Sequence, residues 1–419
     1  MRCFAFCVLL CVPVLAAAQQ TVVIHNAVVE TLGPAGRLEG ATVILRDGKI
    51  AAVGKDVPVP DFARVIDAQG GTLMPGIVDP YFQVAITPAS SDSGERTTVI
   101  RGRPFPFGGG FGGRTASAFT RIADNFYPYD PGLKPLPRVG ICRANVVSSG
   151  VGQAAVIRCT PDQPETMLVQ PDGPIYASVT NSTESLDQIR SRLQRGSRGS
   201  GPAPTGSATA PAPSAALNDP WKDVLEGKKP LLVEANTAAA VVHVVKFLQA
   251  YPDVKLVLFV AGDAVPETLP LLKERKVCVV LRPRFDFLPA SRDRFSAPRM
   301  LHENGVEVVF SLTARPPRPP AITPPTQQQQ QEEEQQTVPG VERDFPLFPV
   351  AMQVKTGLPR QIALEALTKK PAALLGCEKT HGSIEPGKAA DLLLFTGDPL
   401  DPASRLRLTI IDGRITHAQ

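Results

Sequence analysis

The middle of this 419-residue chain alternates short apolar runs with helical patterns, and this alternation constrains the fold more than any other feature. The runs typical of buried strands are residues 230–233, 255–260, 277–281 and 306–310. Between the first three, residues 238–250 and 266–275 have helical periodicity. Strand, helix, strand at this spacing favours βα units, whose strands form a parallel sheet. We therefore predict an α/β fold.

Both ends of the chain are instead rich in β-branched residues and turn signals. The strand-like runs are residues 22–24, 41–45 and 50–53 at the N-terminal end and residues 391–395, 408–411 and 414–416 at the C-terminal end. Asp47-Gly48 and Asp412-Gly413 each precede a strand-like run, and the glycines suit hairpin positions that need a positive φ. Two β-rich ends therefore flank a mixed middle.

The N-terminus has the pattern of a secretory signal. Arg2 precedes an apolar run over residues 4–15, and the small residues 16–18 come before Gln19-Gln20. We assign residues 1–18 to this signal, rather than to a buried strand, and expect an exported protein, periplasmic or secreted. No other apolar run approaches the length that a membrane span needs. The net charge of +4, with no long basic cluster, predicts no nucleic-acid partner.

Four of the seven cysteines lie beyond this signal: Cys142, Cys159, Cys278 and Cys377. They are widely separated and have no zinc-ligand spacing. Export permits disulfides, and Cys142 and Cys159 are the closest pair along the chain. Spacing alone does not establish a bond, so the disulfide state stays open.

Three segments have compositions that cannot bury enough apolar area to offset their chain entropy. They are the Gly-, Pro- and Phe-rich residues 101–114, the Gly/Ser- and Ala/Pro-rich residues 195–219, and the Pro- and Gln-rich residues 315–340. We expect them to be disordered insertions on loops, and we prefer a solvated linker to a docking motif for the last.

Two long stretches resemble the amidohydrolase superfamily, especially its imidazolonepropionase-like branch. The first holds DGKIAAVG at 47–54, VIDA at 65–68 and LMPGIVD at 73–79. The second runs from residue 366 to residue 415 and includes KPAALLG, GSIEPGKAADL and the closing DGR. Together they cover roughly a quarter of the chain and lie near its two ends.

The resemblance implies a (β/α)8 TIM-like barrel with a small β-sandwich built from both chain ends. In these terms residues 19–73 are the N-terminal part of the sandwich, residues 74–379 the barrel and residues 380–419 the C-terminal part. The active site of such a barrel lies at the C-terminal ends of its strands.

The resemblance also implies a metal site. In the family a His-x-His pair follows the first strand, a lysine the fourth, histidines the fifth and sixth, and an aspartate the eighth. The residues that occupy the corresponding positions here are Tyr81, Gln83, Tyr176, Glu234 and Thr313. Since these residues are not, as a set, the usual zinc ligands, we expect no bound metal. A divalent metal such as zinc is expected only if the protein is an active hydrolase. No Gly-x-Ser-x-Gly motif offers a serine nucleophile instead.

We therefore expect a degenerate, metal-free and non-catalytic homologue that acts as a binding or scaffold protein, with a small molecule or an envelope protein as its partner. The alternative is an active hydrolase of carbon–nitrogen bonds, of a non-peptide, cyclic amide-like kind, in which Asp79 and Glu234 supply the acid and base. A purely structural interpretation of the same residues has Asp79 bonded to backbone and Glu234 paired with an arginine.

Overall fold

The computed structural model describes residues 21–83, 99–100, 103–104, 119–148, 150–179, 184–197, 220–288, 293–313 and 345–419. The expected signal at residues 1–18 lies outside this part of the chain. So do the three expected insertions, apart from Arg103–Pro104 and the helical residues 195–197. The described residues form an α/β fold with mixed sheets.

The strands of the described part are β1 Val22–Glu30, β2 Arg37–Arg46, β3 Lys49–Gly54, β4 Arg64–Asp67, β5 Thr72–Pro75, β6 Ile77–Gln83, β7 Val99–Ile100, β8 Arg103–Pro104, β9 Thr120–Arg121, β10 Ile141–Val147, β11 Val151–Gln153, β12 Ala155–Arg158, β13 Leu168–Gln170, β14 Ile175–Ser178, β15 Leu231–Ala235, β16 Leu256–Val260, β17 Cys278–Leu281, β18 Asp286–Phe287, β19 Arg294–Phe295, β20 Glu307–Phe310, β21 Leu392–Phe395, β22 Leu406–Ile411 and β23 Arg414–Ala418.

The helices of the same part are α1 Ile122–Asn125, α2 Glu184–Ser197, α3 Pro220–Leu225, α4 Ala238–Leu248, α5 Val265–Glu274, α6 Ala297–Glu303, α7 Phe348–Lys355, α8 Arg360–Glu365 and α9 Lys369–Leu374. Among the described residues, no helix is long and apolar enough to cross a membrane.

One eight-stranded sheet contains strands from both ends of the chain. Its order is β23-β22-β21-β5-β1-β2-β3, and β4 pairs with β1 outside this path. The two ends meet where β21 pairs antiparallel with β5, so that Leu393 lies opposite Met74. Ile24 and Val43 from one end share a buried apolar cluster with Leu392 and Ile410 from the other. Each end therefore covers apolar surface that the other cannot bury alone.

The two predicted turns in this sheet are confirmed. Asp47 and Gly48 have φ values of 55° and 73° and connect β2 to β3. Asp412 and Gly413 have φ values of 46° and 75° and connect β22 to β23. Two successive positive φ values define the tight hairpin turn that Asp-Gly favours.

The middle of the chain forms the predicted parallel strands. Strands β14, β15, β16, β17 and β20 are successive parallel neighbours in a seven-stranded sheet, which continues through β11 to β9. A separate four-stranded sheet has the order β13-β12-β10-β6, with β6 parallel to β10. Over the described residues the strand pairing does not close into a barrel. Within each sheet the carboxyl ends of the parallel strands share one edge, and Gln83 and Glu234 lie at or next to such ends.

A buried ion-pair network joins the eight-stranded sheet to β10. The Arg143 guanidinium on β10 donates to Asp391 at 3.0 Å and to Asp412 at 2.9 Å, and its side chain is 6% exposed. Arg158, opposite Arg143 on β12, lies 2.7 Å from the other oxygen of Asp412. Burial alone would raise the pKa of Asp391, but Arg143 and then His381 hold it below its ordinary value.

Replacing Arg143 with methionine should destabilise the fold, because the buried Asp391 carboxylate would lose its cation. We expect a loss of about 3 kcal/mol in the free energy of unfolding, measured by urea denaturation. Lys222→Ala is the matched control, since Lys222 is 68% exposed and lies 3.9 Å from Glu226; it should change the free energy by less than about 0.5 kcal/mol. Equal effects of the two substitutions would show that the network does not hold the sheets together.

Candidate strand-end site

Tyr81 and Glu234 meet at the carboxyl ends of β6 and β15. The Tyr81 hydroxyl donates to Glu234 Oε2 at 2.8 Å, although the residues are 153 positions apart. The Tyr81 ring stacks on Phe259 of β16 with centroids 4.5 Å apart and planes 7° apart. Burial and then the negative charge of Glu234 raise the pKa of Tyr81 well above its ordinary value. The phenol therefore stays protonated and acts as a hydrogen-bond donor.

Asp79 is a fully buried carboxylate that ties β6 to the residues after β20. Its Oδ1 accepts from the Tyr81 backbone N–H at 3.0 Å and from the Ser311 hydroxyl at 2.8 Å. Its Oδ2 accepts from the backbone N–H groups of Leu312 at 2.9 Å and Thr313 at 3.0 Å. Burial raises the pKa of Asp79, and these hydrogen bonds oppose that rise. Each oxygen thus already accepts two hydrogen bonds.

Tyr176 is the second residue of β14 and pairs with a serine. Its hydroxyl lies 2.6 Å from the Ser148 hydroxyl, which follows the end of β10. Burial raises the pKa of Tyr176, so its phenol is a poor base for activating that serine. Tyr176 is also close enough to Tyr81 to contribute to the rise in the Tyr81 pKa. Gln83 lies at the end of β6, half-buried, opposite Val147 in the ladder.

The structure thus groups most of the sequence-predicted residues. Tyr81 contacts Glu234 directly, and the Thr313 hydroxyl donates to the Tyr81 carbonyl at 3.3 Å. The expectation that Asp79 bonds to backbone is confirmed. In the described part of the chain, the expected arginine partner of Glu234 is not found: its two oxygens accept from Tyr81 and, at 2.7 Å, from the Asn236 amide.

Sequence reasoning missed three residues of this site. Asn236 follows Glu234 by two positions, Phe259 is the stacking partner of Tyr81, and Arg282 follows β17 close enough to Asp79 for the two charges to interact. Phe259 is hidden from sequence analysis because an aromatic residue in an apolar strand is typical of any core. The positions of Asn236 and Arg282 just after strands were the available signal.

Comparison with known proteins agrees with this architecture. A model of the amidohydrolase family matches residues 339–417. A solved amidohydrolase from Thermotoga maritima superposes with a TM-score of 0.67 at 20% identity, covering 95% of this chain and 100% of that one. Residues 339–417 are therefore similar to the amidohydrolase family, and the superposition shows that the chain shares the fold of the Thermotoga maritima protein.

Its curated relatives match only short stretches. A dihydroorotase from Mycobacterium tuberculosis is 43% identical over 54 residues, 13% of each chain. An imidazolonepropionase from Salinispora arenicola is 35% identical over 91 residues, 22% of each chain. The chain therefore matches less than a quarter of the length of either relative, and the solved structure at 20% identity shows the fold alone.

Amidohydrolases typically depend on a metal, so the donors at the strand ends can be tested against that need. Zinc prefers thiolate, imidazole and carboxylate ligands. Tyr81 and Tyr176 keep their protons, and the Thr313 hydroxyl is neutral. Glu234 is the remaining carboxylate at these positions, and both of its oxygens already accept hydrogen bonds. This donor set does not fit a zinc ion.

A second group of metal-type ligands lies at the joint between the sheets. One ligand atom from each of His381, Asp391 and Asp412 lies within 4.8 Å of the others, and no other such group occurs among the described residues. However, Arg143 and Arg158 already bind these two carboxylates. Two guanidinium charges at the same oxygens would repel a cation, so we interpret the group as part of the ion-pair network.

Replacing Asp79 with asparagine should destabilise the protein, because the amide NH2 must then face backbone N–H groups that now donate to an oxygen. We expect a loss of about 2 kcal/mol in the free energy of unfolding by urea denaturation. The matched control is Thr313→Val, which removes the hydroxyl but keeps the N–H that donates to Asp79, and should cost less. An Asp79→Asn protein as stable as the wild type would contradict this structural role.

Proposed function

We propose that this chain is a metal-free, non-catalytic member of the amidohydrolase family that acts by binding. The proposal includes a (β/α)8 barrel built on its parallel strands, and export to the periplasm or the medium. The observation that carries it is the hydrogen bond between Tyr81 and Glu234. The resemblance assigns metal ligands to both positions, and here the two side chains bind each other.

The chemistry of the neighbouring groups supports the same proposal. Metal-dependent hydrolysis needs a cation that lowers the pKa of a bound water and polarises the scissile carbonyl. The protonated Tyr81 and Tyr176 supply neither effect. The Ser148 hydroxyl faces a phenol whose pKa burial raises, so no activated nucleophile arises at that pair.

The proposed ligand is a small polar molecule at the strand ends. Tyr81, Tyr176 and Glu234 bring two phenols and a carboxylate to one edge of the parallel strands, beside the Phe259 ring. Tyr81, Tyr176 and Phe259 are buried and Glu234 is half-buried, so the Glu234 carboxylate is the group of this set that a ligand would contact first. An envelope protein at the same edge is the other partner that the test below would detect.

The alternative is an active hydrolase of carbon–nitrogen bonds with Glu234 as its base. The exposure of Glu234 favours this alternative, because its carboxylate is only partly buried and a substrate could reach it, whereas Asp79 is fully buried. The hydrogen bonds to Glu234 from Tyr81 and Asn236 would then orient the carboxylate rather than occupy it. Asp79 suits the accompanying acid less well, since four donors surround its oxygens.

The test is the metal content of the full chain purified with no metal added, together with hydrolysis of a panel of cyclic amides. We expect zinc well below one equivalent per chain and no hydrolysis above that of a matched Glu234→Gln protein. Glu303→Gln, which removes an exposed carboxylate that pairs with Arg299, is the control for nonspecific effects. Binding is measured in parallel as a ligand-induced rise in Tm, which Tyr81→Phe should reduce.

Two results would overturn the proposal. About one equivalent of tightly held zinc would show that the chain builds a metal site after all. Hydrolysis that Glu234→Gln abolishes and Glu303→Gln preserves, with both variants folded, would establish the alternative.

A further inference from the structure

Two buried cysteines face each other at the end of a strand pair. Arg143 on β10 lies opposite Arg158 on β12 in an antiparallel ladder, so the preceding Cys142 lies opposite the following Cys159. The Cys159 backbone N–H donates to the Cys142 carbonyl at 2.9 Å, which extends the pairing to these residues. Both thiols are free in this structure and fully buried in the same apolar cluster.

This placement meets the distance that a disulfide requires. Residues directly opposite in an antiparallel pair point to the same face, with Cα atoms about 5.5 Å apart when a hydrogen bond joins them. Disulfides span Cα separations of roughly 4.4 to 6.8 Å. The backbone geometry of this pair therefore permits a bond between the two sulfur atoms.

The neighbouring charges give such a bond a local role. Arg143 and Arg158 are like charges directly opposite each other, an arrangement that weakens a strand pair. Asp412 offsets the repulsion by accepting from Arg143 at 2.9 Å and lying 2.7 Å from Arg158. A covalent bond one residue away would hold the two strands together while both guanidiniums face the same carboxylate.

We propose that Cys142 and Cys159 are a disulfide-forming site that joins β10 to the end of β12 in the oxidised protein. Two S–H bonds break and one S–S bond forms, and the two electrons and two protons pass to a low-molecular-weight or protein disulfide, which becomes two thiols. The proposal relies on an oxidising compartment, as export would supply, and is independent of the metal-free site.

The other cysteines of the described residues are poor partners. Cys377 packs against Val78 and Val156, on the opposite face of these strands. Cys278 lies on β17, in the other sheet. Because Cys142 and Cys159 are fully buried, the disulfide must form while the chain folds, before the core excludes the oxidant.

The experiment refolds the full chain in a mixture of oxidised and reduced glutathione, alkylates free thiols in denaturant and maps tryptic peptides without reduction. Trypsin releases Cys142 in residues 139–143 and Cys159 in residues 159–190. We expect these two peptides to be linked and to separate on reduction. The urea midpoint of the oxidised chain should exceed that of the reduced chain, and Cys278→Ser should preserve this difference while Cys142→Ser abolishes it.

Recovery of both peptides alkylated and unlinked would overturn the proposal, as would Cys142 linked to another cysteine. The mapping uses the wild-type chain, so the proposal remains testable even if Cys142→Ser does not fold. A second variant, Cys159→Ser, should give the same loss of the oxidation-dependent difference in midpoint.

Discussion

The buried Asp79 carboxylate is the interaction on which the strand-end arrangement depends. An anion with no exposed surface is stable in a protein only when its oxygens accept enough hydrogen bonds. Here the donors come from β6 itself and from the three residues after β20, which are more than 230 positions away along the chain. The hydrogen bonds to Asp79 therefore fix the position of β6 relative to the residues that follow β20. They also fix the Tyr81 backbone, and through it the ring that reaches Glu234.

A second buried network of hydrogen bonds and ion pairs joins distant segments where β10 meets the eight-stranded sheet. Arg143 reaches Asp391 and Asp412, which lie about 250 or more positions later in the chain. Both networks therefore join distant segments, and both satisfy every carboxylate oxygen they contain. The acidic residues at the strand ends and at the joint between the sheets therefore resemble metal-ligand sets, but their carboxylate oxygens already accept hydrogen bonds or ion pairs from the protein.

Local rules predicted the parts of the fold that depend on neighbouring residues. The Asp-Gly turns adopt the positive φ values that their composition requires, and the apolar runs from Leu231 to Phe310 form parallel strands. The resemblance pointed to the correct strand ends, where Tyr81, Glu234 and Thr313 meet. The contact of Glu234 with Tyr81 could not be predicted, because the two residues lie 153 positions apart on different strands. The stacking of Phe259 was equally hidden, since it follows from packing across strands.

The central claim is that the Tyr81–Glu234 pair replaces the metal site of the family. The most direct measurement is anomalous X-ray scattering at the zinc edge from crystals of the full chain soaked in zinc. The account predicts no zinc peak at the strand ends, because Tyr81 keeps its proton and Glu234 is already bonded. A peak within about 2.2 Å of Glu234 Oε1 or Oε2, with further protein ligands around it, would contradict the account.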